Sequence, residues 1–126
     1  MSKHRHTPHR DDSTDFAVDL AQAQDPLVMT LDIGSTATRG SLHDAAGTLV
    51  RGYRHKIPHA FTTGADGTSV IDPDQVAGEI AEILDRVCDR EELAGRVRGV
   101  GLDSFASSLV GVDANGDAVT ECFTYG

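Results

Sequence analysis

The sequence predicts an α/β domain, a β-β-β-α-β order followed by a β-hairpin. Three observations carry this. An unbroken apolar run, Leu27-Val28-Met29-Thr30-Leu31, ends in Asp32 and a small-residue turn, the pattern of a strand covered on both faces. Further on, Val76, Ile80, Ile83, Leu84 and Val87 recur at i, i+4, i+7, i+8 and i+11, one apolar stripe at helical period. Short β-prone runs separated by Asp/Asn…Gly turns account for most of the rest.

Taken in order, residues 1–25 are polar and poor in large apolar side chains and read as a disordered extension, with residues 26–126 as the folded part. His4, His6 and His9 belong to this solvated tail. The first strand is Leu27–Ile33. The second spans about Thr38–Asp44, and Asp44-Ala45-Ala46-Gly47 has Asp first and Gly last, as in a type I turn. The third spans about Thr48–Lys56. Connections this short make the three an antiparallel meander. Pro58–Val70, rich in Thr and Gly, reads as a loop. Asp72 is placed to cap a helix, with Pro73 at its first position and Gln75 at its third, a start resembling a capping box. The helix runs to about Arg90, with Glu79, Glu82, Asp85, Arg86 and Asp89 facing water, and Gly95 closes the segment. A fourth strand is Val97–Asp103. Leu109–Asp113 and Ala118–Tyr125 are the fifth and sixth, joined across Asp113-Ala114-Asn115-Gly116, an Asn-Gly hairpin signal.

The 126 residues suffice for one domain with a modest core. With 5% aromatic residues and no Trp, that core is aliphatic. A formal net charge of −9 argues against nonspecific binding to nucleic acid or to an anionic membrane surface. Cys88 and Cys122 show neither metal-ligand spacing nor a disulfide framework, which fits a reducing, cytoplasmic setting. No run approaches the ~18 apolar residues of a membrane helix, and the basic N-terminus has no apolar signal segment.

The chemistry lies at the turn after the first strand. Gly34 allows close backbone approach and positive φ. Ser35 and Thr36 add hydroxyls and backbone N–H groups, the makings of an anion nest. Asp32, at the strand end, is placed to hold a hydrated Mg²⁺ beside bound phosphates. A plain β-hairpin with a surface aspartate has the same local pattern.

Two blocks resemble the N-terminal part of the FGGY carbohydrate kinases, of the actin-like (ribonuclease H-like) ATPase fold. One is LDIGSTATRG at Leu31–Gly40; the other is GVGLDSFASSLVGVDANGDAVTECFTYG at Gly99–Gly126. The resemblance covers about Leu27–Gly126. It implies ATP with Mg²⁺, a sugar or polyol acceptor, and transfer of the γ-phosphoryl group to an acceptor hydroxyl. It places Asp32 at the metal-linked position, Gly34, Ser35 and Thr36 in the phosphate turn, and Arg39 at a basic position that touches ATP phosphates in some members. Ser104, Phe105, Ala106 and Ser107 fall in the turn that contacts the sugar.

Many members carry Gln-Met-His or Gln-Arg-Glu in that turn, so Phe105-Ala106-Ser107 depart from the pattern, and Ala106 offers no side-chain hydrogen bond to a polyhydroxylated acceptor. In the family the catalytic Asp and the second domain lie further along. The resemblance therefore implies a partial kinase domain, inactive alone, whose general base is expected downstream of Gly126 and whose partner is the remaining C-terminal part. Two other readings stay open: another actin-like ATPase, of the dehydratase-activator type, and a non-catalytic phosphate- or nucleotide-binding module.

Overall fold

A computed structural model describes residues 16–125; His4, His6 and His9 and the first fifteen positions of the expected extension lie outside them. A four-stranded sheet organises the chain, with β1 (Leu27–Ile33), β2 (Ala37–His43), β3 (Leu49–Pro58) and β6 (Val97–Ser104) in the order β3-β2-β1-β6. The expected meander is present: β1 pairs antiparallel with β2, and β2 with β3. β6 returns parallel to β1, with Leu31 opposite Leu102 and Asp32 opposite Asp103. A parallel neighbour requires a long crossover, and helix α1 (Pro73–Cys88) lies within it.

α1 packs over β2 and β3. Ile83 and Val87 from the stripe are buried, and Ile80 and Leu84 are half-buried. They join Leu27, Met29, Leu31, Leu42, Val50, Tyr53 and Leu93 in one aliphatic core. Gly40 makes the close helix–sheet approach possible, since a Cβ there would overlap Ile83 and Met29. Met29 and Leu31 face this core, and their register partners Val100 and Leu102 share that face. α1 does not extend over β6, so Val100 is 57% and Leu102 60% exposed.

The helix begins as expected. Asp72 is the N-cap, its Oδ1 accepts from the Asp74 amide at 2.9 Å, and Pro73 opens the first turn. Asp72→Ala is expected to cost about 1 kcal/mol, read as a lower urea midpoint at unchanged slope. The capping box does not close, because the Gln75 side-chain amide reaches forward to Glu79 Oε1 at 3.0 Å.

Other parts differ from expectation. Residues 16–25 lie along the sheet: the Val18 amide donates to the Leu49 carbonyl, the Arg51 amide donates to the Val18 carbonyl, and Leu20 and Ala23 pack on the core. The Gln24 amide on Asp44 Oδ2 and the Arg51–Asp19 ion pair add to these contacts. The stretch 58–70 contains β4 (Thr62–Thr63) and the start of β5 (Ser69–Ile71), which with β7 (Cys122–Phe123) form a small antiparallel sheet. Of the expected fifth and sixth strands only β7 forms as a strand, and the pairing between the two reduces to the antiparallel bridges Leu109–Phe123 and Val112–Ala118. Leu109 and Val119 are 72% and 64% exposed, so no buried face sets a continuous ladder, and the Thr120 hydroxyl takes the Gly111 amide instead. Their turn forms as the Asn-Gly signal implies, with the Gly116 amide on the Asp113 carbonyl and Gly116 at φ +87°.

Candidate functional site

Parallel pairing sends the chain out of β1 and β6 in the same direction, so the turns after them are neighbours. Ile33 is opposite Ser104, and the Phe105 amide donates to the Ile33 carbonyl at 3.0 Å. Residues 34–36 and 104–107, about seventy positions apart in sequence, thus meet at the carboxyl ends of adjacent parallel strands. Open α/β sheets bind ligands at that edge.

Asp32 is exposed at the penultimate position of β1, between Arg39 on β2 and Asp103 on β6. Arg39 Nη1 lies 3.4 Å from Asp32 Oδ2. The expected metal-linked acid and the expected phosphate-contacting base are therefore each other's nearest charge partner, in a solvated pair that holds little energy and parts readily for a ligand. Among the described residues no three His, Cys, Asp or Glu side chains gather as a metal cage. Asp32, with Asp103 beside it, offers hard oxygen donors, the kind Mg²⁺ takes one or two at a time while keeping its waters.

The turn itself departs from expectation in two respects. Gly34 is not among the positive-φ glycines, and its amide is spent on the Ala37 carbonyl at 2.9 Å. Glycine is needed here for space, since a Cβ would lie 3.2 Å from both the Ala37 carbonyl oxygen and Arg39 Nη1. Ser35 and Thr36 form the exposed tip, and no backbone hydrogen bond among the described residues engages their amides. A nest at this turn is therefore built from the tip amides and hydroxyls, without the Gly34 N–H.

Across from it, Ser104, Ala106 and Ser107 are exposed and Phe105 is half-buried. Ser107 has φ +55°, the left-handed region that costs a side chain about 1–2 kcal/mol. The turn is held nonetheless by the Ser108 hydroxyl on the Phe105 carbonyl and by the Phe105 ring, set edge-on to Phe61 with centroids 5.2 Å apart. Arg39 also borders an open groove of about 410 Å³ on the sheet face away from α1, with Ser41, Arg54 and Lys56.

Two residues beneath the β1–β2 turn were not legible as partners of that turn. Glu79, expected to face water, is 7% exposed. Its Oε2 accepts from the Thr38 hydroxyl at 2.7 Å and meets His59 Nδ1 at 2.8 Å. Burial pushes the Glu79 carboxyl up, but the hydrogen bonds from Thr38, Gln75 and His59 outweigh it and hold the group below its ordinary value. His59, fully enclosed, also places Nε2 2.7 Å from the Gly34 carbonyl oxygen. A signal for Glu79 was present, since it lies on the helical stripe four residues before Ile83. His59 stands in the Thr/Gly-rich loop with no periodicity to mark it.

This network has a consequence for acid stability. A carboxyl whose folded pKa is depressed contributes stability that is full above its unfolded value, near 4.5, and fades as pH falls through the lower folded value. The melting temperature is expected to drop below about pH 4.5. Glu79→Gln is expected to flatten part of that drop.

No family model matches the chain, and no curated protein matches it. Solved structures do. Gluconate kinase from Lactobacillus acidophilus is similar at 22% identity and TM-score 0.67, over 78% of this chain and 19% of that one. Xylulose kinase from Rhodospirillum rubrum is similar at 20% identity and TM-score 0.65, over 78% and 20%. Plasmodium falciparum glycerol kinase, solved with ADP, is similar at 11% identity and TM-score 0.63, over 81% and 21%. The chain spans about a fifth of the length of these structures. It has the fold of part of a sugar kinase, as the resemblance to the FGGY kinases implied, and its structural neighbours are gluconate, xylulose and glycerol kinases.

Proposed function

We propose that this chain is the N-terminal part of an ATP-dependent carbohydrate kinase of the FGGY family, in an actin-like (ribonuclease H-like) domain. The observation that carries the reading is the β1–β6 pairing. It sets an acid–glycine–hydroxyl turn beside a second polar turn at one sheet edge, as transfer between two bound substrates requires.

In this reading Ser35 and Thr36 receive the ATP phosphates through amides and hydroxyls, Gly34 lets the turn close tightly, and Arg39 turns from Asp32 to a phosphate oxygen. Asp32, with Asp103 beside it, would hold Mg²⁺ by hard carboxylate oxygens. Bound ATP·Mg²⁺ supplies the γ-phosphoryl group and offsets its charge. Ser104 and Ser107 offer hydroxyls to a sugar or polyol, and Phe105 offers an apolar edge to its carbon skeleton. Ala106 leaves room and makes no polar contact. The general base that takes the acceptor's proton comes from a part of the kinase outside these residues.

ATP consumption by the protein of the complete reading frame, with a panel of sugars and polyols that includes gluconate, xylulose and glycerol, tests the reading. Turnover is expected with one acceptor class and not without an acceptor. ATP binding with no acceptor-dependent turnover anywhere in the panel would overturn it in favour of a nucleotide-binding module.

A further inference from the structure

The phosphate turn is held from below by one residue. His59 donates its backbone amide to the Thr36 carbonyl at 3.0 Å and places its ring Nε2 2.7 Å from the Gly34 carbonyl oxygen. A carbonyl only accepts, so Nε2 carries a proton. Nδ1 then faces Glu79 Oε2, with one proton between them, and Oε2 is also held by Thr38. Among the described residues no buried side-chain nitrogen or oxygen lacks a partner, so in this orientation both ring nitrogens are satisfied.

A trans peptide points its N–H opposite its C=O. Drawing the Gly34 carbonyl inward onto His59 therefore aims the Ser35 N–H outward, at the exposed tip of the turn. The same ring lies nearly parallel to Phe61, with centroids 6.3 Å apart and planes 17° apart, and Phe61 in turn meets Phe105 edge-on. A single buried side chain thus contacts the backbone of one turn and, through one aromatic ring, the other.

We propose that His59 is a positioning residue: anchored on Glu79 of α1, it orients the Gly34–Ser35 peptide for phosphate and sets the Phe105 turn against the same anchor. This rests on the kinase reading of the two turns. It adds a residue that touches neither substrate and a physical link between their sites.

The test uses His59→Gln and Phe61→Leu in the protein of the complete reading frame. Losing a buried hydrogen bond in a charged network is expected to raise the ATP KM about tenfold in His59→Gln. Phe61→Leu leaves the bond to Gly34 in place and is expected to raise the acceptor KM while sparing that for ATP. A structural role alone would lower the melting temperature of both and move neither KM. Folded His59→Gln protein with an unchanged ATP KM would overturn the proposal.

Histidine-labelled NMR of the unsubstituted protein covers the case in which His59→Gln does not fold. A solvent-protected Nε2 proton is expected, and a freely exchanging one overturns the assignment. If no acceptor is phosphorylated, the kinase reading fails separately. Amide shifts then decide the positioning role: His59→Gln is expected to move Ser35, Thr36 and Phe105, and unmoved resonances there overturn it.

Discussion

Ile83→Ala is expected to destabilise the fold by about 2–5 kcal/mol, against a total of about 5–15 kcal/mol for a domain of ordinary stability. Ile83 is fully buried, and its Cγ2 occupies the space left by the missing Cβ of Gly40. The backbone of β2 is held on both sides by β1 and β3 and cannot close the void. The cost therefore falls toward the upper part of that range. Ile80, half-buried at the edge of the same stripe, is expected to cost less on the same change. Urea unfolding of both variants checks this: the Ile83 midpoint should fall further, with the slope unchanged. Equal shifts would mean that the stripe is centred elsewhere.

Asp32→Ala is expected to lower kcat by about 10²–10³-fold in the protein of the complete reading frame, the scale on which a preorganised partner of developing charge acts. The acceptor KM should change little, because the Ser104–Ser107 turn follows β6 and Asp32 is the penultimate residue of β1. Stability should also change little, since the Arg39 pair is exposed and such pairs contribute roughly 0–1 kcal/mol. Asp32→Asn keeps the shape and removes the charge, so a comparable loss is expected if the carboxylate acts on the metal. Full activity of either variant would remove Asp32 from the metal site.

The first strand, the helix N-cap and the Asn-Gly turn after Val112 were legible because each is specified within a few residues. An apolar run, an Asp before Pro, and an Asn-Gly pair state their geometry locally. The fifth and sixth strands were less legible, since β propensity expresses side-chain packing and Leu109 and Val119 stay mostly exposed. Glu79 was misread for the converse reason. A carboxylate on an apolar stripe is costly to bury unless partners meet it, and its partners, Thr38 and His59, lie 41 and 20 residues away.

The candidate site divides along the same line. Asp32, Gly34, Ser35, Thr36 and Arg39 fall within eight consecutive residues, so their pattern stands in the sequence alone, as does the small-residue turn at Ser104–Ser107. That these two turns are neighbours was decided by the parallel β1–β6 register, which depends on a crossover through α1. That Gly34 serves for space, with its amide already bonded to Ala37, was decided by how tightly the turn closes. That the turn rests on His59 was decided by burial, which leaves a polar side chain stable only where its hydrogen bonds are complete, and those bonds come from two separate parts of the chain, the β1–β2 turn and α1.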